Sequence, residues 1–153
     1  MSTWLTSEAS VCGLNLPVGR LINAGLFSSA TFDWATPEAV YAELNEEFHF
    51  THDPAPLAYN GLWSGLAESW EGTIFCNPPY GRIIGQWIQH GYESSLKGAT
   101  VVMLIPSRTD TAWWHDYVMK ASEIRFIRGR LKFGGATINA PFPSAVIVFK
   151  SSP

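Results

Sequence analysis

The stretch T-I-F-C-N-P-P-Y-G, from Thr73 to Gly81, decides the fold of this chain. Its first four residues form an apolar run typical of a buried strand, and a helix-like pattern begins at Arg82. Two consecutive prolines restrict the backbone between the strand and the helix. The stretch therefore predicts a buried strand that ends in a rigid, exposed turn before a helix.

The turn itself, Asn77 to Tyr80, presents two neutral hydrogen-bond acceptors beside an aromatic ring. The acceptors are the side-chain amide of Asn77 and the carbonyl of Pro78, and the pair Pro78-Pro79 holds both in place. A planar ring with an exocyclic amino group fits this arrangement, because the acceptors take its two N–H bonds while Tyr80 stacks on the ring. The predicted catalytic residues are therefore Asn77, Pro78, Pro79 and Tyr80.

The chemistry of an aromatic amine explains why neutral acceptors are needed. Its lone pair is delocalised into the ring, and hydrogen bonds placed out of the ring plane favour a pyramidal nitrogen with an available lone pair. A sulfonium methyl donor is already activated, so positioning does most of the remaining work without a metal or an ionised base. The turn predicts methyl transfer to such an amine; the alternative is a proline-rich turn with an incidental tyrosine.

A helix and a short strand are predicted upstream of the turn. Thr36 is the expected N-cap of the helix, Pro37 lies in its first turn, and Glu38 is favourable near the positive end of the helix dipole. The apolar stripe of this helix is Val40, Tyr41, Leu44 and Phe48. The strand is predicted from Phe48 to His52, with Asp53 at its C-terminal end.

A second helix and a third strand are predicted downstream of the turn. The apolar side of the helix is Ile84, Trp87, Ile88 and Leu96, and Gly98 ends it. The run from Thr100 to Ile105 is continuously apolar, as in a central parallel strand.

The C-terminal third predicts a short helix and two final strands. Asp110 is the expected cap of a short aromatic helix that reaches Met119. The strands Ile124–Phe133 and Ser144–Lys150 are expected to pair antiparallel around the loop 134–143. Strands that alternate with helices predict an α/β doubly wound sheet, in which ligands bind beyond the carboxyl ends of the strands.

Seven stretches, the N-P-P-Y turn among them, occur in a consistent order between Leu26 and Lys150, a region that makes up about four fifths of the chain. They are W-A-T-P-E at Trp34–Glu38, F-H-F-T-H-D-P at Phe48–Pro54, F-C-N-P-P-Y-G at Phe75–Gly81, I-P-S-R-T-D-T at Ile105–Thr111, W-W-H-D-Y-V at Trp113–Val118, I-R-F-I-R-G-R-L-K-F at Ile124–Phe133 and A-P-F-P-S-A at Ala140–Ala145. In these stretches the chain resembles the phage-type DNA N6-adenine methyltransferase (Dam) family. The resemblance implies an enzyme that uses S-adenosylmethionine to methylate the N6 amino group of adenine in double-stranded DNA.

The resemblance also implies a fold and a cofactor site. The fold is a minimal class I, Rossmann-like methyltransferase fold with a mostly parallel sheet and a C-terminal antiparallel strand. The residues implied for the cofactor are Trp34, Thr36, Pro37, Asp53, Pro54 and Asn77. The helix N-terminus after Trp34 and Thr36 suits the cofactor carboxylate, and Asp53 suits its ammonium group. Simple helix capping beside a packed tryptophan, and a loop-capping aspartate, remain open as alternatives.

One segment departs from the family pattern. Asp53-Pro54 is followed by Ala55-Pro56, where the family usually has Cys-Ala and a longer stretch. Residues Leu57–Gly72 are too few for the two further strands that a full class I sheet places there. The expected sheet is therefore shortened between its first strand and the N-P-P-Y strand.

Charge is distributed unevenly along the chain. The net charge is −3, but residues 1–80 hold nine acidic side chains and only Arg20, whereas residues 81–153 hold nine basic and four acidic side chains. Such asymmetry predicts a surface that faces a polyanion, with an ordinary solvated face as the alternative. The basic residues expected at DNA phosphates are Arg82, Arg108, Arg125, Arg128, Arg130 and Lys132. For Arg108, a structural pair with Asp110 is the alternative.

Length and composition limit the other possibilities. The 153 residues fit an N-terminal arm or loop of residues 1–26 and a single methyltransferase domain of residues 27–153. No apolar run reaches a membrane span and no signal peptide is recognisable, so a cytoplasmic protein is expected, in the host cytoplasm if phage-encoded. Cys12 and Cys76 form neither a disulfide framework nor a metal pattern. A monomer and a homodimer both remain open.

Two other functions remain open at this point. The same turn can present an RNA adenine or a protein glutamine amide for methylation. The shortened cofactor region also leaves open a catalytically silent nucleic-acid-binding module, although the complete N-P-P-Y turn argues against it.

Overall fold

The computed structural model describes residues 34–55, 65–134 and 138–151. The predicted N-terminal arm of residues 1–26, and its boundary with the following domain, lie outside these residues. The segment Leu57–Gly72, which is predicted to be too short for two more strands, is described only from residue 65 onward. There it contains a 3₁₀ helix, Gly65–Ala67, and then leads into the first strand of the sheet.

Four strands form one mixed sheet in the described part of the chain. They are β1 (Thr73–Cys76), β2 (Thr100–Pro106), β3 (Glu123–Phe126) and β4 (Ser144–Phe149), arranged in the order β1-β2-β4-β3. β1 and β2 pair parallel, and β4 runs antiparallel to both β2 and β3. The α/β class is thus confirmed. The sheet is mixed rather than mostly parallel in its pairings, because the antiparallel β4 inserts between two strands of the same direction.

The strand predicted from Phe48 to His52 is reduced to one parallel bridge between His52 and Ile74. The amide of Thr51 donates to the Thr73 carbonyl at 2.8 Å, and the Phe75 amide donates to the His52 carbonyl at 3.1 Å. The prediction was too long because Phe48 still belongs to the preceding helix. The next residue, His49, has a left-handed φ of 58°, so the chain becomes extended only beyond it.

The first helix, α1, spans Glu38–Phe48. Its N-cap is Pro37, and no side chain caps it, so the prediction of Thr36 as the N-cap is wrong. The Thr36 hydroxyl accepts a hydrogen bond from Asn77 instead. The acidic Glu38 does lie in the first turn, where it opposes the positive end of the helix dipole.

The second helix, α2, spans Ile84–Leu96 and connects the parallel strands β1 and β2. Its apolar side is buried as predicted, except for Leu96, which is 63% exposed at the last turn. Gly98 has a φ of 112° and carries the chain away from the helix end.

A third, short helix, α3, spans Ala112–Asp116 and precedes a 3₁₀ helix at Val118–Lys120. Its cap is Thr111, whose hydroxyl accepts a hydrogen bond from the Trp114 amide at 3.3 Å, so the prediction of Asp110 as the cap is wrong. Aspartate and threonine are both good caps, and sequence preference alone does not choose between adjacent candidates.

The final strands pair antiparallel as predicted, but β3 ends at Phe126 rather than at Phe133. Gly129 has a φ of 80°, and the chain beyond Phe126 turns out of the sheet there. Leu131 and Phe133 are buried although they lie outside a strand. Their alternation with polar residues mimics a strand, but it comes from a loop that folds back onto the end of the sheet.

The hydrophobic core lies around the two central strands. All residues of β4 are buried, as are all of β2 except Thr100. Cys76 is a buried free thiol whose pKa is raised, first by burial, as expected for a core cysteine. No helix among the described residues is long and apolar enough to cross a membrane.

Candidate active site at the carboxyl edge of the sheet

Strands β1, β2 and β3 all end at the same edge of the sheet, and β4 begins there. We call this the carboxyl edge; its segments are residues 34–37, 53–55, 77–82, 107–111, 127–134 and 138–143. The opposite end, where β1, β2 and β3 begin, is called the amino edge. Ligands of open α/β sheets bind beyond the carboxyl ends of the strands, so this edge is where a site is expected.

Asn77 is the first residue after β1 and is held by two hydrogen bonds. Its Nδ2 atom donates to the backbone carbonyl of Trp34 and, at 3.0 Å, to the Thr36 hydroxyl oxygen. Its Oδ1 atom is buried and has no hydrogen-bond partner in the described part of the chain. Leaving a buried acceptor unsatisfied costs about 1–3 kcal/mol, so such an atom calls for an explanation.

Tyr80 is not the exposed ring that the sequence predicts. The residue is only 6% exposed, and its hydroxyl donates to the Leu104 carbonyl at 3.1 Å. Burial raises the pKa of the phenol well above its usual value, so the hydroxyl is a neutral donor. Pro78 is buried as well. The turn therefore lies inside the carboxyl edge instead of projecting from it.

Four aromatic rings pack around the turn: Trp34, Tyr80, Phe133 and Phe142. The Trp34 ring centroid lies 5.6 Å from that of Phe133 and 5.3 Å from that of Phe142. The Tyr80 centroid lies 6.2 and 5.5 Å from the same two rings. These four contacts are edge-to-face, a favourable geometry for aromatic pairs. The rings form an apolar cluster that includes the last residue of the turn, Tyr80.

Phe133 and Phe142 were missed as site residues by sequence reasoning. Both lie in stretches that resemble the family, and Phe142 stands between Pro141 and Pro143. Their approach to Tyr80 depends on the loop that follows β3, which the sequence suggested was strand. The only signal available was the aromatic residue between two prolines, which does not indicate a partner.

The segment before α1 places two predicted cofactor residues, Trp34 and Thr36, against Asn77. Trp34 is half-buried and Pro37 is buried, and the Pro37 carbonyl accepts the Tyr41 amide at 3.1 Å. Ala35 accepts a hydrogen bond from the Gly134 amide at 3.0 Å, which ties this segment to the loop after β3. The N-cap residue Pro37 has no side chain that can accept a hydrogen bond from the N–H groups of the first turn of α1.

Asp53 lies beside the end of β1, next to His52, which bridges Ile74. It is half-buried, and one carboxylate oxygen accepts the Ala55 amide at 2.9 Å, which matches the loop-capping alternative. Burial raises the pKa of the carboxyl, an effect that the Ala55 hydrogen bond partly offsets. The following residue, Pro54, is buried.

Five of the six cations predicted at DNA phosphates lie at the carboxyl edge: Arg82, Arg108, Arg128, Arg130 and Lys132. All are exposed except Lys132, which is half-buried. Arg130 donates to the Ala140 carbonyl at 3.4 Å. In the described part of the chain, Arg108 makes no ion pair with Asp110.

Arg125 is engaged elsewhere. Its two terminal nitrogens donate to the carboxylate of Glu47 at 2.8 and 2.7 Å, and its Nε donates to Glu123 at 2.7 Å. The guanidinium also lies 5.5 Å from the centre of the Phe48 ring. These carboxylates raise the pKa of Arg125 and occupy its donors, so we do not retain this residue as a phosphate contact.

Two histidines near the candidate site, His52 and His115, have ordinary polar partners. His52 pairs with Glu68, and the Nε2 atom of His115 lies 2.8 Å from the Thr109 carbonyl. Among the described residues, no group of three or more His, Cys, Asp or Glu side chains is arranged to hold a metal ion.

An α/β fold with a mixed sheet that carries the N-P-P-Y turn at its carboxyl edge is consistent with the methyltransferase-like α/β class. Within that class, the model of the DNA N-6-adenine-methyltransferase (Dam) family matches residues 26–148, and the chain belongs to this family. The resemblance seen in the sequence is thereby confirmed, and membership implies a DNA adenine N6-methyltransferase. No curated protein and no solved structure showed significant similarity to the chain.

Proposed function

We propose that this protein transfers a methyl group from S-adenosylmethionine to the N6 amino group of adenine in double-stranded DNA, at the N-P-P-Y turn. The observation that carries the proposal is the buried Oδ1 of Asn77, which has no partner in the described part of the chain. A neutral acceptor at the end of β1 suits an amino group, because adenine N6 offers two N–H donors there.

The turn would act on the adenine amino group through its two acceptors. Asn77 Oδ1 accepts one N–H, and the Pro78 carbonyl accepts the other. Each neutral hydrogen bond contributes about 0.5–1.5 kcal/mol, and the pair favours a pyramidal nitrogen with an available lone pair. After transfer, the surplus proton leaves to water or through the same acceptors.

The target adenine must leave the DNA stack to reach this turn, at a cost of a few kcal/mol. The rings of Trp34, Tyr80, Phe133 and Phe142 supply an apolar, aromatic surface that offsets part of this cost. Because Tyr80 is only 6% exposed, the base gains access to its face only if neighbouring rings move aside. Stacking is therefore proposed to involve Tyr80 together with Phe133 and Phe142.

The residues present fit the methionine end of S-adenosylmethionine. The N-terminus of α1 has no side-chain cap, so the N–H groups that follow Trp34, Thr36 and Pro37 suit a carboxylate. Asp53, with Pro54 behind it, supplies a carboxylate for the ammonium group. When bound, the cofactor supplies an activated methyl group.

DNA is proposed to bind across the carboxyl edge through Arg82, Arg108, Arg128, Arg130 and Lys132. Because these side chains lie along the edge that carries the turn, phosphate contacts would place the duplex across this edge. Such contacts position the DNA, whereas base contacts select the sequence.

Methyl incorporation into duplex DNA, RNA and protein, measured side by side with labelled cofactor, tests the proposal. We expect label in duplex DNA, as N6-methyladenine, and a fall of at least 100-fold in turnover for Asn77→Ala, with cofactor affinity largely kept. Label only in RNA adenine or protein glutamine would favour the alternative substrates. DNA binding without cofactor binding in calorimetry would favour a catalytically silent module.

A further inference from the structure

We propose that the Trp34 carbonyl and the Thr36 hydroxyl are positioning groups for the Asn77 amide, and that they make position 77 specific for asparagine. Both residues were expected at the cofactor from the sequence. The proposal rests on the proposed function, since orienting Asn77 matters for turnover only if its oxygen receives the substrate amine.

The hydrogen bonds determine which way the amide faces. A backbone carbonyl only accepts, so the Trp34 carbonyl requires an N–H of Asn77 to face it. The second N–H donates to the Thr36 hydroxyl oxygen at 3.0 Å. If the amide were reversed, its oxygen would meet the Trp34 carbonyl and both donor bonds would be lost. Oδ1 is therefore directed away from both residues, where it has no partner in the described part of the chain.

The two positioning groups are themselves held in place. The Trp34 ring packs edge-to-face against Phe133 and Phe142. The neighbouring Ala35 carbonyl accepts the Gly134 amide at 3.0 Å. Thr36 is free to bind Asn77 because Pro37 occupies the N-cap position, where threonine would otherwise serve the helix. A catalytic group held by such surrounding contacts needs little reorganisation before the reaction.

This arrangement also explains the amide at position 77. A carboxylate has no N–H, so an aspartate there would place an oxygen against the Trp34 carbonyl. The Thr36 hydroxyl can turn and donate to a carboxylate, but a backbone carbonyl cannot. The Trp34 carbonyl therefore selects asparagine over an ionised aspartate, whatever the Thr36 hydroxyl does.

Thr36→Val and Thr36→Ser test the role of the hydroxyl. Valine has nearly the same shape but no acceptor, so we expect turnover to fall about tenfold, with little change in the KM for DNA or in the melting temperature. Serine keeps the acceptor and should stay within about threefold of the wild type. The side-chain amide protons of Asn77, observed by NMR, should exchange slowly with solvent in the wild type and faster in Thr36→Val.

The outcomes separate this proposal from the proposed function. A wild-type protein that does not methylate adenine overturns the proposed function, while amide exchange in Thr36→Val still decides whether Thr36 holds Asn77. Wild-type turnover in Thr36→Val with unchanged Asn77 exchange overturns the positioning role. Equal impairment in Thr36→Val and Thr36→Ser also overturns it, because the hydroxyl would then not be the cause.

Discussion

At the scale of single residues, the Asn77 amide has a nitrogen that donates hydrogen bonds to the protein and an oxygen that is left for a ligand. Its nitrogen is fixed by the Trp34 carbonyl and the Thr36 hydroxyl, and its oxygen stays buried without a partner in the described chain. An unsatisfied acceptor destabilises the fold by about 1–3 kcal/mol. In the proposed reaction this cost is recovered when the substrate amine binds.

Replacing this asparagine by aspartate should make activity depend on pH. Among the described residues, Cys76 and Tyr80, close to position 77 in the chain, are both neutral through burial, and Asp53 lies beside β1. Burial, the Trp34 carbonyl and the negative Asp53 all disfavour a second carboxylate, so the pKa of the new group rises above about 3.9. Below that raised pKa the neutral carboxyl can donate to Trp34. We expect Asn77→Asp to be inactive at pH 8 and to recover, relative to the wild type, as the pH falls.

Rates measured for both proteins between pH 5 and pH 8 check this expectation. Asn77→Ala is the control, because it has no titrating group at this position. A ratio of Asn77→Asp to wild-type activity that does not change with pH would contradict the explanation.

Asp53 supports a second pH-dependent prediction. Burial raises its pKa, so the carboxyl becomes protonated at a higher pH than an ordinary aspartate does. If the ionised form binds the cofactor ammonium, cofactor affinity is full above the raised pKa and falls as the pH decreases through it. Calorimetric titration should show this loss in the wild type. Asp53→Asn should bind more weakly and without the same pH dependence, and equal affinity in both proteins would remove Asp53 from the site.

At the scale of secondary-structure elements, Arg125 joins α1 to the edge strand β3. It forms a two-point ion pair with Glu47 on the helix and a further bond with Glu123 on its own strand. The side chain of Glu47 is 49% exposed and that of Arg125 is 25% exposed, so solvent weakens the pair. The bond geometry is nevertheless good, which makes a contribution of about 1 kcal/mol reasonable.

Arg125→Ala and Glu47→Ala should each lower the free energy of unfolding by about 1 kcal/mol. Their effects should not add, because both remove the same pair. DNA affinity should change little in Arg125→Ala, since its guanidinium is already occupied. Chemical denaturation and DNA binding of the two single variants and the double variant check this. If Arg125→Ala lost as much DNA affinity as Arg128→Ala, Arg125 would have to be counted among the DNA contacts.

At the scale of the whole molecule, the described cations divide between the two ends of the sheet. Five lie at the carboxyl edge and three, Lys97, Lys120 and Lys150, lie at the amino edge; the ninth, Arg125, lies within β3. Two of the amino-edge lysines rest over aromatic rings, Lys120 over Tyr92 and Lys150 over Phe48. A protein with net charge −3 can therefore present one basic end to DNA.

Two double variants with the same change in net charge test this division. Arg108→Ala with Arg128→Ala should weaken DNA binding and reduce the slope of log affinity against log salt by about 2. Lys97→Ala with Lys120→Ala is the matched control and should leave that slope nearly unchanged. Equal losses in the two double variants would mean that overall charge, rather than the carboxyl edge, governs DNA binding.

The sequence by itself determined the strand-turn-helix unit around Asn77, both longer helices, the central strand β2, the antiparallel final pair and the family. These features depend on local apolar periodicity, on prolines that restrict neighbouring residues, and on motifs that keep their order. Local information sufficed because each pattern acts on residues close together in the chain.

Only the tertiary structure decided how the site is assembled. In the folded chain Tyr80 is buried, and Phe133 and Phe142 pack against it. Thr36 binds Asn77 instead of capping a helix, and Arg125 pairs with Glu47. The last two contacts join residues 41 and 78 positions apart in the chain. These contacts form only when distant segments of the chain pack together. A local pattern of residue types does not predict which segments will do so.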